Sequence, residues 1–128
     1  MEPIVYVDRS DIRAGKLDAL RAAAAGLARH VGDHAPRVLS YDIFVNPDGS
    51  SMTVTHVHPD SASLEELMAA IAPVLAPFRE LITLQSIDVY GETSDAVRDA
   101  LERKVELLGG RVTLHERMAG LGASRARR

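Results

Sequence analysis

The residues best placed to do chemistry are His56-Val57-His58-Pro59-Asp60. In an extended strand, side chains two positions apart point to the same face, so both imidazoles can reach one ligand. Two neutral imidazoles and a nearby carboxylate could bind a metal ion. Either histidine could instead work as a general base, because imidazole titrates near neutral pH. The third possibility is structural, a partly polar strand end with His58 wet and His56 bonded to Tyr41, Asp42 or a partner chain. Tyr41 and Asp42 lie on the preceding strand with side chains on opposite faces, so only one can share the His56 face. Tyr41 is therefore a candidate proton donor as well as a candidate core aromatic. Tyr6, Tyr90, Met52 and Met68 are expected to pack, His30 and His34 to border a helix end, and His115 and Glu116 to lie on the surface.

The element that positions this group is a hairpin. Leu39, Tyr41, Ile43 and Val45 alternate along its first strand, and Met52, Val54, His56 and His58 along its second. Asn46-Pro47-Asp48-Gly49 joins them, with Pro fixing φ and Gly free to adopt the left-handed conformation. Both faces of each strand carry apolar groups, so the sheet is expected to be covered on both sides, most simply by a second subunit. The hairpin is expected to supply the two central strands.

Around it, Ile4-Val5-Tyr6-Val7 reads as a short strand, after which Asp8, Ser10 and Asp11 offer caps for a helix. Leu17, Leu20, Ala24, Leu27 and Val31 recur at helical spacing, and Gly32-Asp33-His34-Ala35-Pro36 is expected to end that helix, since Gly suits its C-terminus and Pro cannot continue it. Ser63 and Glu66 have capping-box spacing, with Ser61 as a competing N-cap. Pro73 and Pro77 should end the second helix near Ala72 and leave a turn or two beyond. Residues 81–90 read as a strand. Thr93 or Ser94 should cap a third helix with the stripe Val97, Leu101, Val105 and Leu108, and Val112 to His115 could form a fifth strand.

Composition narrows the function. The chain has 128 residues, 46% of them hydrophobic, which suits one domain with its own core. Its formal charge of −3 points to neither nucleic acid nor another polyanion as partner. The chain has no cysteine, which removes disulfides and thiolate chemistry. No signal sequence or membrane-spanning segment is visible, so a cytoplasmic protein is expected.

The order β-α-β-β-α-β followed by α-β is a ferredoxin-like antiparallel sheet, an α+β fold, with an appended αβ unit. Ile12-Arg13-Ala14-Gly15-Lys16-Leu17, Leu39-Ser40-Tyr41-Asp42-Ile43 and residues 60–67 resemble the dimeric α/β-barrel superfamily. Within it they are most similar to proteins related to antibiotic biosynthesis monooxygenases. The resemblance covers roughly residues 3–90. One domain is expected over residues 1–118, with core 3–90 carrying the resemblance and an extension 91–118 outside its minimal pattern, followed by a small, basic, flexible tail at 119–128. The resemblance implies a homodimer whose two sheets form a barrel. The activity it implies is cofactor-independent monooxygenation of a small aromatic or quinol-like molecule, with no cofactor or metal. Members that degrade haem use a Trp and an Asn, but this chain lacks Trp and its single Asn is Asn46 in the turn. The expected catalytic residues are His56, His58 and Tyr41. A non-catalytic dimeric module, binding a small ligand or serving a stress or regulatory role, is the alternative. The HxHxD spacing is also similar to that of metallo-hydrolases of the β-lactamase type, although Ser61 stands where a further His would be needed.

Overall fold

A computed structural model describes residues 2–121. The elements in chain order are β1 (Ile4–Ile12), α1 (Leu17–His34), β2 (Ser40–Val45), β3 (Ser51–His58), α2 (Ser61–Ile71), β4 (Ile82–Tyr90), α3 (Asp95–Leu108) and β5 (Arg111–His115). Two short 3₁₀ turns, Ala72–Val74 and Ala76–Glu80, follow α2, each carrying at its second position one of the two prolines that stop the α-helix. The strands form one sheet in the order β2-β3-β1-β4-β5. All neighbours are antiparallel except β4 and β5, which run parallel through the α3 crossover. The appended αβ unit therefore extends the sheet.

The hairpin is less central than its sequence suggests. β2 is an edge strand, and the middle of the sheet is β1, flanked by β3 and β4. β1 is also longer than expected. Asp8 and Ser10 do not cap a helix; they continue the inward alternation begun by Ile4 and Tyr6, and all four are buried. β1 pairs along its whole length with β3 and β4, and these two ladders outweigh the local turn preference of Asp and Ser. The chain then turns through Gly15 at φ +74° into α1, whose N-cap Lys16 contributes no side-chain bond. The helix runs to His34, so it ends within the expected stretch from Gly32 to Pro36, two residues beyond the glycine. The amide of Ala35 still bonds the carbonyl of Val31, so the glycine has no need to take the left-handed conformation there.

Three helices cover one face of the sheet, and Leu20, Leu27, Leu64, Leu67, Ile71 and Leu101 fill the space between. In β4 the inward residues are Ile82 and Leu84, then Ile87 and Val89. The phase changes because the register slips opposite Arg9 and Ser10, leaving Gln85 as an extra residue in a bulge. Gly110, at φ +82°, lies so close to β4 that a Cβ there would stand 2.8 Å from the carbonyl oxygen of Leu84. Among the described residues no helix covers the outer face, where Val5, Phe44 and Tyr90 remain substantially exposed. No helix among the described residues is long and apolar enough to cross a membrane. Of the basic tail expected at 119–128, residues from 122 onward lie outside those described.

Candidate functional site

Period-two alternation and register together place polar groups in rows across the inner face of the sheet. Tyr41 of β2, His56 of β3 and Tyr6 of β1 lie directly opposite one another. The ring of His56 stacks on Tyr6 at 3.9 Å between centroids and on Tyr41 at 5.3 Å. Of the two candidates on β2, Tyr41 therefore shares the His56 face. Asp8 and Ser10 occupy the next two rows along β1, opposite Val54 and Met52.

His56 and His58 do share a face, as their spacing requires, but neither is wet. Both are almost fully buried. Their rings meet edge to face, with Nδ1 of His56 2.7 Å from Nε2 of His58. Nδ1 of His58 is 2.7 Å from the hydroxyl of Ser63. The result is a chain Ser63–His58–His56, which runs with the serine hydroxyl at either its donor or its acceptor end. Ser63 was expected as an N-cap, but Asp60 takes that role and accepts the backbone amide of Ser63. This frees the Ser63 hydroxyl for His58. Since the imidazoles bond each other and Asp60 is committed to the helix, the HxHxD motif does not converge on a metal. Among the described residues, no group of three or more His, Cys, Asp or Glu could hold one.

Burial sets the protonation states. Desolvation holds His56 well below the ordinary imidazole range, and His58 and Lys104 push it the same way. His58 is lowered to about 4 by burial, against the opposing pull of Asp60 and Glu66. Tyr6 and Tyr41 are raised, first by desolvation and then by the charge of Asp8. At neutral pH both histidines are therefore uncharged and both phenols keep their protons.

The charge in this interior comes from a residue that sequence reasoning missed. Lys104 of α3 points inward and donates to the phenol oxygen of Tyr6 at 2.7 Å and to Oδ2 of Asp8 at 3.1 Å. Tyr6 donates in turn to the same Oδ2 at 2.6 Å. The ion pair is nearly dry, with side-chain exposures of 9% and 3%. One signal was present in the sequence: Lys104 is seven residues after Val97 and three after Leu101, on the apolar stripe of its helix.

Three spaces adjoin this cluster, one of them a groove of about 430 Å³ between α2 and α3 lined by Met68, Leu75, Ala100 and Lys104 among others. A cleft of about 390 Å³ opens between α1 and β2, lined by Leu17, Leu20, Ala24, Ala28, Tyr41 and Phe44 among others. An interior cavity of about 20 Å³ is lined by Asp8, Ser10, Lys104 and a ring of apolar side chains. Tyr41, Ile43 and Met52 line both cleft and cavity and so form the wall between them. His56 and His58 line none of the three, so of the expected site residues Tyr41 alone meets open space there.

No protein-family model matches the sequence, and no curated protein matches it. Solved structures do match by fold. MupZ from Pseudomonas fluorescens superposes with a TM-score of 0.74 at 17% identity, over 95% of each chain. That coverage requires the αβ extension to be shared. SnoaB, a cofactor-independent oxygenase from Streptomyces nogalater, gives a TM-score of 0.62 at 15% identity, over 73% of this chain and 96% of its own. A protein from Bacteroides thetaiotaomicron, assigned as an antibiotic biosynthesis monooxygenase, gives 0.58 at 15% identity, over 66% and 84%. The chain thus has the ferredoxin-like α+β fold of the antibiotic biosynthesis monooxygenase-like proteins, as the sequence resemblance implied.

Proposed function

We propose that this protein is a cofactor-independent monooxygenase that acts in the cytoplasm on a small, quinol-like aromatic molecule. The observation that carries the proposal is the dry Lys104–Asp8–Tyr6 cluster, set behind the wall of an apolar cleft. An electron-rich ring that loses a phenolic proton can pass electrons directly to dioxygen. One oxygen atom then enters the ring and the other leaves as water, with the substrate supplying all the electrons. The protein must take up the proton and stabilise the ring anion away from water. Lys104 supplies a fixed positive charge for that anion, and Asp8 holds Lys104 in place. Tyr41, kept protonated by burial, reaches the cleft as a hydrogen-bond donor. His56 stacks behind both phenols and orients them, and His58 and Ser63 fix the ring of His56.

The proposed assembly is a homodimer, with the uncovered outer face of the sheet, including Val5, Phe44 and Tyr90, meeting its copy. Oxygen uptake with a panel of quinols tests the activity. Tyr41→Phe should slow the best substrate by about 10²-fold or more, the usual scale for a lost proton donor, and His56→Ala should slow it too by removing the ring that orients both phenols. Unchanged rates in both variants would defeat the assignment. A non-catalytic module that binds a small ligand is favoured by one observation: His56 and His58 line neither the cleft nor the cavity. Ligand binding without oxygen uptake from any quinol would select it.

A further inference from the structure

We infer that the interior cavity is a subsite for one hydroxyl group, belonging to an aromatic ligand whose ring lies in the adjoining cleft. Ser10 sits on the central strand, 1% exposed, and its Oγ is buried without a hydrogen-bond partner. An unpaired buried hydroxyl costs free energy in the empty fold, so it calls for a partner. The cavity it lines is also lined by Lys104 and Asp8. Lys104 carries three protons and uses two, on Tyr6 and on Oδ2 of Asp8. Both side-chain donors reach the same oxygen of Asp8, so Oδ1 has no side-chain donor. The cavity therefore offers a donor, a second group that can donate or accept, and a carboxylate acceptor. A hydroxyl can use all three, whereas an ether or ring carbonyl cannot donate to Asp8.

Size agrees with this. About 20 Å³ admits roughly one oxygen-sized group and no ring. The ring is placed in the cleft of about 390 Å³ on the other side of Tyr41, Ile43 and Met52, because the groove of about 430 Å³ that Lys104 also lines does not reach Tyr41. Met52, with three rotatable bonds, is the member of that wall best able to move aside. The subsite deepens the proposed function, because a hydroxyl seated there can pass its proton to Oδ1 of Asp8 while Lys104 keeps its charge beside the oxygen anion left behind.

Equilibrium binding of 2-naphthol and of 2-methoxynaphthalene, followed by fluorescence, tests the subsite. The wild-type protein should bind the naphthol at least about tenfold more tightly, the scale of one or two hydrogen bonds lost by the ether. Ser10→Val, which fills the cavity, should abolish the preference, and the milder Ser10→Ala should narrow it roughly fivefold. Methoxynaphthalene affinity should stay unchanged in Ser10→Ala. Equal affinities in the wild type, no binding of the naphthol, or a preference that survives both substitutions would each overturn the inference. A crystal structure with water in the cavity and naphthol bound elsewhere would do so as well. Naphthol preference without quinol oxidation would leave the subsite standing and remove only the oxygenase.

Discussion

The Lys104–Asp8 pair makes a quantitative prediction about stability. Replacing Lys104 with Met keeps the length and the apolar stem but leaves the carboxylate of Asp8 in an interior where it is 2% exposed. Breaking a dry ion pair by removing one partner typically costs about 3–5 kcal/mol, mostly the desolvation of the charge left behind. For a chain of 128 residues, each kcal/mol shifts the melting midpoint by roughly 4 °C, so Lys104→Met should melt about 12–20 °C lower. The double variant Lys104→Met/Asp8→Asn removes both charges and keeps an acceptor for the Tyr6 phenol. It should recover more than half of the loss. Urea unfolding of the wild type, of these two variants and of Asp8→Asn alone at neutral pH, followed by circular dichroism, closes the double-mutant cycle. A single-variant loss below about 1 kcal/mol would refute the picture of a dry, mutually dependent pair. So would a double variant no more stable than Lys104→Met.

Two further predictions concern pH and assembly. His58 is held at about 4 in the fold against 6.5 when unfolded, so the unfolded chain binds more protons between these values. Its contribution, about 3 kcal/mol on that shift, is fully present above pH 6.5 and is lost as pH falls toward 4, with His56 acting in the same direction. Urea midpoints at pH 7 and 5 should therefore diverge less in His58→Gln than in the wild type; equal divergence would dismiss the imidazole as the cause. In light scattering at micromolar concentration the protein should have twice its chain mass, and Phe44→Glu should weaken that state; a wild-type monomer would rule out the outer face as an interface.

The sequence carried the local parts of this structure well and the long-range parts poorly. Period two placed His56 and His58 on one face, and the turn at Asn46 to Gly49 is where Pro and Gly put it. Strand order is a tertiary property, which is why the hairpin read as central while β2 lies at the edge. Asp8 and Ser10 look like a helix start to any local rule, and only pairing on both sides of β1 reveals them as buried. The bulge at Gln85 hid the alternation of β4 by shifting its phase halfway. Lys104 was legible in principle, a cation on an apolar stripe, but its partners lie near the opposite end of the chain. The Tyr41–His56 contact depended on a register that no sequence pattern fixes.

That separation bears on the order in which the molecule assembles. Asp8 belongs to the first strand made, yet the cation that neutralises it arrives 96 residues later on α3. Until that helix docks, the centre of the sheet carries a carboxylate with no counter-charge, and water must stay beside it. Closing so long a span is entropically slow, and its reward comes only when the cation is seated. Docking of α3 should then be the step that dries the interior. A chain ending before Lys104 would hold a wet, loosened sheet centre around Tyr6.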